Sequence, residues 1–181
     1  MYKICKTQKS ADRQKVFEEG LLQAMLSRNY EDISVQDLCQ QLQVPRKSFY
    51  RYFSGKDGAL QALLDHTLLE FVQQNSRKRN QGELESFFVF WYEHRDLLKA
   101  VARSNLMDLL AERAIYYAIY EHMMPRQLQS MPLEVQQLSL TFVINGLLAM
   151  VIQWHRHNYR ETPEELAQIA RRMLTLPMMQ K

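Results

Sequence analysis

The 181-residue sequence is 46% hydrophobic and 24% charged, a balance that is typical of a folded globular protein. Glycine and proline occur only five times each, which disfavours a turn-rich all-β fold and favours long helices. No uninterrupted apolar run reaches about eighteen residues, and no apolar stretch follows the lysines of residues 1–10. We therefore expect neither a transmembrane helix nor a signal peptide, and a cytoplasmic protein.

The positive charge of the chain is concentrated in its first third. Residues 1–60 hold ten Lys and Arg against seven Asp and Glu, whereas residues 61–181 hold thirteen of each. The whole net charge of +3 therefore lies in residues 1–60. Such a surplus favours a polyanionic partner when the same segment also carries a nucleic-acid-binding motif.

The first third predicts three helices in close succession. In Ser10–Arg28 the apolar residues recur at helical spacing, its first residue suits an N-cap, and Asn29 suits a left-handed stop. Ser34 then begins a short second helix, and Pro45, which suits a first helical turn, begins a third that reaches Tyr52. The second and third helices meet across a tight turn, which is the helix-turn-helix arrangement.

The rest of the chain predicts longer helices and no strand. A capping-box sequence, Thr162 with Glu165, begins the last of them. The polar stretch Asn75–Gly82 predicts a loop between subdomains. The sequence therefore indicates an all-α fold, in which the later helices cover Lys56–Asn75, 83–101, 105–129, 132–158 and 162–175.

The third helix carries side chains that are chemically suited to DNA. In a helix-turn-helix the second helix of the pair lies in the major groove, where its exposed side chains meet bases and phosphates. Val44, Phe49 and Phe53 can point inward and pack the helix. The remaining side chains are rich in hydrogen-bond donors: Arg46, Lys47, Ser48, Tyr50 and Arg51.

Residues 13–64 resemble the N-terminal domain of TetR-family regulators. The matching features are Asn29-Tyr30, Ser34-Val35, the turn Leu42-Gln43-Val44-Pro45, Tyr50-Arg51-Tyr52-Phe53 and Lys56. The resemblance implies a three-helix DNA-binding domain in residues 1–55 and a helical ligand-binding and dimerisation domain in residues 56–181. It further implies a sequence-specific transcriptional regulator, expected to be a repressor, that binds a palindromic operator as a homodimer and responds to a small-molecule effector.

The resemblance assigns roles to seven residues of this domain. Ser34, Tyr50, Tyr52 and Lys56 are expected to contact phosphates, whereas Arg46, Lys47 and Ser48 are expected to contact base edges. Packing of the two tyrosines within the domain and solvation of the cations are the alternative.

Three positions depart from the family pattern, because Asn29, Gln43 and Lys47 stand where the family has glycine. Gln43 predicts backbone strain in the turn. Lys47 predicts an altered preference for DNA sequence.

Residues Leu138–Ile152 are apolar on nearly every side of the predicted helix 132–158, so this helix must be covered all round. One side of the helix can pack within its own bundle, and the other side is predicted to pack against a second copy of the chain. The resemblance places a homodimer interface on this helix and the next, for which we select Gly146, Ala149, Met150, Leu166, Ile169 and Met173. Burial of the helix at the centre of a monomer is the alternative.

The helices in residues 83–129 are rich in aromatic side chains, which the resemblance implies enclose an effector. Aromatic walls with a few polar tips suit an apolar or aromatic small molecule. The candidate pocket residues are Phe88, Trp91, Tyr92, Tyr117 and Asn145, and their alternative role is plain core packing.

The sequence contains no motif of catalysis or metal binding. It lacks a glycine-rich phosphate loop, a Gly-x-Ser-x-Gly motif and a His-Glu-x-x-His motif, and His155 and His157 face apart on a helix. We therefore expect neither an enzyme nor a cofactor. The functional alternatives are a helical adaptor of the same fold that binds a protein partner and, less in keeping with the motifs, a helical-bundle enzyme.

Overall fold

The structure is a computed structural model that describes residues 1–77, 83–120 and 126–175, and within these ranges the fold is all-α, as predicted. The described residues form no strand, apart from an isolated antiparallel bridge between Tyr2 and Phe53. A 3₁₀ turn covers Tyr30–Asp32. The helices are α1 Gln8–Ser27, α2 Val35–Gln41, α3 Arg46–Phe49, α4 Lys56–Arg77, α5 Glu83–Glu93, α6 Arg95–Arg103, α7 Met107–Tyr120, α8 Arg126–Gln129, α9 Leu133–Arg156 and α10 Pro163–Thr175.

The chain divides into two compact units. Unit 1 comprises Met1–Leu69 with Lys99–Arg113, and unit 2 comprises Glu70–Leu98 with Ala114–Lys181. Helices α4, α6 and α7 therefore each contribute residues to both units. The units are defined by packing, so the functional boundary after residue 55 stays a prediction.

Three aromatic rings form the centre of unit 1. Phe17 of α1 meets Phe49 of α3 edge to face at a centroid distance of 5.4 Å, and Phe53 lies 4.9 Å from Phe49. All three side chains are buried. Burial of each such side chain stabilises the fold by roughly 1.5–3 kcal/mol, so this cluster holds the short helix α3 against α1.

The core of unit 2 is also aromatic. Phe88 of α5 meets Trp154 of α9 edge to face at 6.3 Å, and α5 packs against α10. The indole N–H of Trp154 donates to the carbonyl of Glu161 at 2.9 Å. This bond satisfies a buried donor and ties the end of α9 to the segment before α10.

The ends of α1 differ from the sequence prediction. The helix begins at Gln8 because Thr7 Oγ1 accepts the amide N–H of Ser10 at 3.3 Å, so the predicted cap at Ser10 is wrong. Asn29 has φ −66° and ψ 147°, which is extended backbone. The predicted left-handed stop at Asn29 is therefore also wrong, and a 3₁₀ turn follows directly.

The helix predicted for 83–101 is interrupted at His94, which separates α5 from α6. Of the helix predicted for 105–129, α7 ends at Tyr120 and α8 covers Arg126–Gln129, while residues 121–125 lie outside the described residues. Helix α4 continues to Arg77, and the rest of the predicted loop, 78–82, lies outside them as well. The capping box at Thr162 is confirmed, since its amide donates to Glu165 Oε2 at 2.7 Å.

Helix α9 is long and apolar enough to cross a membrane, as judged by length and composition alone. The sequence expectation of no transmembrane helix rested on the lack of an uninterrupted apolar run of about eighteen residues, and it stays a prediction. Only 17% of the most apolar window of α9 is buried in the single chain. A helix that packs against a second protein chain has the same composition and the same exposure.

Candidate nucleic-acid interface

The turn between α2 and α3 has a left-handed residue at its centre. Gln43 has φ 54°, and the amide of Val44 donates to the carbonyl of Cys39 at 2.9 Å. A left-handed conformation costs a non-glycine residue roughly 1–2 kcal/mol. The strained turn predicted at Gln43 is thus present, and the strain comes from a glutamine where the family pattern has glycine.

Ser34 begins α2 with a complete capping box. Its hydroxyl oxygen accepts the amide N–H of Asp37 at 3.1 Å, and the Asp37 carboxylate accepts the Ser34 amide and hydroxyl at 3.1 and 2.7 Å. These hydrogen bonds from Ser34 lower the pKa of the Asp37 carboxyl. The cap predicted at Ser34 is confirmed, whereas its contact to phosphate stays a prediction.

Helix α3 presents its polar side chains outward. Phe49 is fully buried, while Arg46 and Lys47 are exposed and Ser48 is half-buried. Tyr50 is 46% exposed, and the Arg46 guanidinium donates to its hydroxyl at 3.5 Å. The packing of Phe49 therefore orients the hydrogen-bond donors of α3 towards solvent.

Lys56 at the start of α4 is held by the protein itself. Its ammonium donates to the carbonyl of Tyr30 at 2.7 Å and lies 4.1 Å from the centre of the Tyr30 ring. The lysine therefore satisfies a main-chain carbonyl of the 3₁₀ turn, a structural role that the sequence did not predict. To make the predicted contact with phosphate, the Lys56 ammonium would have to bind the phosphate in addition to the Tyr30 carbonyl or in its place.

Tyr52 is half-buried, with its ring 6.1 Å from that of Phe17. Its main-chain carbonyl accepts the amide N–H of Lys3 at 2.9 Å. The predicted contact of its hydroxyl to phosphate stays a prediction.

Tyr30 joins three parts of unit 1. The side chain is buried, its hydroxyl donates to Asp57 Oδ1, and its amide N–H donates to Ser104 Oγ at 3.1 Å. Burial and the bond to Asp57 raise the pKa of the Tyr30 hydroxyl far above its usual range. Arg103, beside Ser104, donates to the carbonyl of Leu26 at 3.1 Å. The end of α6 is thus bonded to the last turn of α1 and to the 3₁₀ turn, the two elements that directly precede the helix-turn-helix.

A second buried polar junction surrounds Asp65 of α4. Asp65 is 1% exposed, and its carboxylate accepts two bonds from the Arg113 guanidinium at 2.6 and 2.8 Å. The hydroxyl of Tyr2 donates to the same carboxylate at 2.9 Å. Breaking a buried pair by removing one partner costs on the order of 3–5 kcal/mol. Helical periodicity placed Asp65 on an amphipathic helix but gave no signal for this pair.

The interface residues predicted on α9 and α10 differ in exposure. A side chain at Gly146 would meet nothing within 4 Å, and Ala149 is exposed. Ile169 and Met173 are 42% and 59% exposed, whereas Leu166 is 6% exposed within its own chain and adds little to an outer face. Met150 is half-buried, and it lines a cavity of about 140 Å³ together with Leu166 and Ile169.

The exposed apolar surface of α9 extends beyond those predicted residues. Leu138 and Phe142 are 72% and 65% exposed, which is unusual for large apolar side chains on one helix. We use the term α9–α10 face for Leu138, Phe142, Gly146, Ala149, Ile169 and Met173.

The predicted pocket residues do not all share one environment. Phe88, Trp91 and Tyr117 are buried, whereas Tyr92 is 41% exposed and packs on Trp154 at 5.5 Å. Asn145 is exposed and donates to the carbonyl of Thr141 at 2.9 Å. Two cavities, about 140 and 470 Å³ in volume, lie beside α10, and none of these five residues lines either of them. The effector pocket therefore stays a prediction.

No group of three or more His, Cys, Asp or Glu side chains in the described ranges could hold a metal ion.

Two family models match the sequence. One, described as bacterial regulatory proteins of the tetR family, matches residues 20–63, which run from α1 through the helix-turn-helix into α4. The other, described as a transcriptional regulator C-terminal region of that family, matches residues 80–176.

A curated relative is the HTH-type dhaKLM operon transcriptional activator DhaS of Lactococcus lactis subsp. lactis (strain IL1403). It is 31% identical over 68 residues, which are 38% of this chain and 36% of the relative. The chain thus matches little more than a third of that relative's length.

Solved structures match over most of the chain. The fatty acid degradation regulator FadR from Bacillus halodurans has a TM-score of 0.62 at 13% identity, over 98% of this chain and all of that one. The dihydroxyacetone kinase operon activator DhaS has 0.57 at 18%, over 90% and 93%. The repressor AlkX from Dietzia sp. strain DQ12-45-1b, implicated in biodegradation of n-alkanes, has 0.50 at 18%, over 87% and 91%. These likenesses concern the fold.

Proposed function

The chain belongs to the tetR family of bacterial regulatory proteins, and we propose that it represses transcription as a homodimer that binds a palindromic operator and responds to a small apolar effector. The family consists of transcriptional regulators with a DNA-binding domain, not of enzymes. A regulator of this kind acts where the DNA is, and we therefore place it in the cytoplasm. The observation that carries the proposal is the outward set of donors on α3, fixed in place by the buried Phe49.

The α3 surface supports contact with base edges and phosphates. An arginine or lysine that donates to guanine is the commonest base-specific contact in the major groove, and α3 offers Arg46 and Lys47 side by side. Tyr50 follows one turn later and can donate its hydroxyl to a phosphate. Because the helix itself is only four residues long, the packing of Phe49 on Phe17 supplies the rigidity that base recognition requires.

The α9–α10 face supports a homodimer. Its large side chains are exposed in the single chain, and Gly146 leaves room for a close approach of another helix. A second copy would cover the same face on both protomers, since a twofold dimer uses one self-complementary surface. A twofold dimer also matches the symmetry of a palindromic operator.

The contacts at the end of α6 support control by an effector. Ser104 and Arg103 bond to Tyr30 and to the last turn of α1, so a displacement of α6 would act directly on the DNA-binding helices. The aromatic residues of α5 and α7 supply apolar walls for the effector. The names of two structural neighbours, which mention fatty acid degradation and n-alkanes, are consistent with an apolar molecule.

Activation is the second candidate, because the lactococcal relative is named a transcriptional activator. The two candidates share the DNA-binding surface and differ in where the operator lies relative to the promoter. A reporter gene under the selected operator distinguishes them by its sign.

Selection of bound sequences from random duplex DNA tests the proposal directly. The wild type is expected to enrich a palindrome, and Lys47→Ala is expected to relax the preference at one position of each half-site. The loss corresponds to about 1–3 kcal/mol of discrimination between bases, which is a factor of roughly 5 to 150. Lys99→Ala, an exposed cation on α6, is the matched control and should enrich the wild-type sequence. A wild type that enriches no sequence would refute the proposed function.

A further inference from the structure

Residues 1–7 form a segment that is held along the end of the helix-turn-helix by main-chain bonds. The amide of Lys3 donates to the carbonyl of Tyr52 at 2.9 Å, and the amide of Ser54 donates to the carbonyl of Met1 at 3.1 Å. Between these bonds Tyr2 and Phe53 form an antiparallel bridge. The segment therefore runs antiparallel to the residues that connect α3 with α4 and pairs with them through a single bridge.

Side chains fix the same segment from within. The hydroxyl of Tyr2 donates to Asp65 at 2.9 Å, and Cys5 Sγ donates to Gln14 Oε1 at 2.7 Å. A side chain at Gly58 of α4 would clash with the carbonyl of Met1, so the glycine permits this close approach. An attachment at so many points orders the backbone before any ligand binds, which lowers the entropic cost of binding.

The outward side of the segment is cationic. Lys3 and Lys6 are exposed, as is Lys9 in the first turn of α1, and no acidic residue occupies that turn. None of the three lysines takes part in an ion pair with another described residue. The positive end of the α1 dipole adds to their potential. This cationic edge adjoins Tyr52, which is itself a predicted phosphate contact.

We propose that Lys3 and Lys6 form an additional phosphate-binding arm that extends the DNA footprint beyond the helix-turn-helix. The inference rests on the proposed function and concerns its affinity, not its sequence preference. A lysine ammonium is a compact cation on a flexible stem, which suits contact with a phosphate regardless of the neighbouring base.

The test measures the salt dependence of binding to a mixed-sequence duplex for the wild type and for Lys3→Ala/Lys6→Ala. Each lost phosphate contact lowers the slope of log affinity against log salt concentration by about 0.9. The proposed dimer carries both lysines on each protomer, so the double variant loses four contacts and the slope should fall by about 3.6. Lys99→Ala/Arg156→Ala removes the same charge from exposed sites elsewhere and should leave the slope unchanged. Unchanged helicity and melting temperature of both variants exclude unfolding as the cause.

Two results would overturn the inference. Either the arm variant keeps the wild-type slope, or the control variant loses as much slope as the arm variant, which would reveal only an effect of net charge. In both cases the wild type still binds DNA and the proposed function stands. A wild type with no salt-sensitive DNA binding would refute both.

Discussion

The surface of α3 and the α9–α10 face are both exposed, but they differ in what exposure costs. Arg46 and Lys47 are well solvated in water, so the domain folds around Phe49 without needing DNA. Leu138 and Phe142 expose large apolar areas, which water solvates poorly. The comparison teaches that the α3 surface is suited to reversible binding of DNA, whereas the α9–α10 face is expected to be covered permanently by a second copy of the chain.

The sharpest way to break this comparison is to place a charge on the α9–α10 face. Phe142→Asp would bury a carboxylate in the dimer without a partner, at a cost of several kcal/mol, and should yield a monomer whose DNA affinity falls by at least about a hundredfold. Light scattering at micromolar concentration checks the mass. Arg156→Asp, at the exposed end of the same helix, should remain dimeric. A wild type that is already monomeric at this concentration would show that the face does not form a dimer.

Lys56 tests whether every cation near α3 serves DNA. Lys56→Met removes the bond to the Tyr30 carbonyl and the contact with its ring, and should lower the free energy of unfolding by about 1–3 kcal/mol. Urea denaturation followed by circular dichroism measures the loss. Lys47→Met, at an exposed side chain, should change stability by less than about 0.5 kcal/mol. Equal stability of the two variants would contradict the structural role of Lys56.

Gln43 tests the strain in the turn that orients α3. Gln43→Gly should raise the free energy of unfolding by on the order of 1 kcal/mol, because glycine adopts φ 54° without steric cost. Gln40→Gly, within α2, should lower it by about the same amount, since glycine is a poor helix former. A destabilised Gln43→Gly variant would mean that the turn is not strained.

The smallest expected effect is a pH dependence at His66. Its hydrogen bond to Glu18 Oε2 at 2.9 Å raises the pKa of the imidazole above 6.5, with Asp65 and Lys15 the other charges nearby. The stabilisation is therefore complete below pH 6.5 and is lost as the pH rises through the raised pKa. The imidazole is 46% exposed, so the loss is small.

Thermal unfolding at a series of pH values, monitored by circular dichroism, measures this effect. His66→Gln should remove the decline above pH 6.5, and His157→Gln, in unit 2, should keep it. If the melting temperature of His66→Gln still declined above pH 6.5, the decline would come from a titratable group other than His66.

Local patterns in the sequence were sufficient for the fold class, the helix-turn-helix and the caps at Ser34 and Thr162. These features depend on residues within one or two turns of each other. The hydrogen bonds from Tyr30 to Ser104 and from Arg113 to Asp65 join residues 74 and 48 positions apart, and periodicity within one helix carries no information about them.

The two errors at α1 have a related cause. A cap at Ser10 and a stop at Asn29 both suit the residue types, but in each case a competing local structure is formed instead. Thr7 caps the helix one turn earlier, and the 3₁₀ turn of Tyr30 takes the backbone of Asn29 into the extended region. Residue preference alone could not choose between these alternatives.

The two tryptophans of the chain, Trp91 and Trp154, both lie buried in unit 2, each 2% exposed. Indole fluorescence therefore reports on the aromatic core of unit 2 and not on unit 1. Helical ellipticity, in contrast, measures the helices of both units together. When the chain is unfolded, coincidence of the two signals would mean that the DNA-binding helices and the aromatic core melt as one cooperative body. Separate midpoints would show that the aromatic core and the DNA-binding helices unfold in different steps.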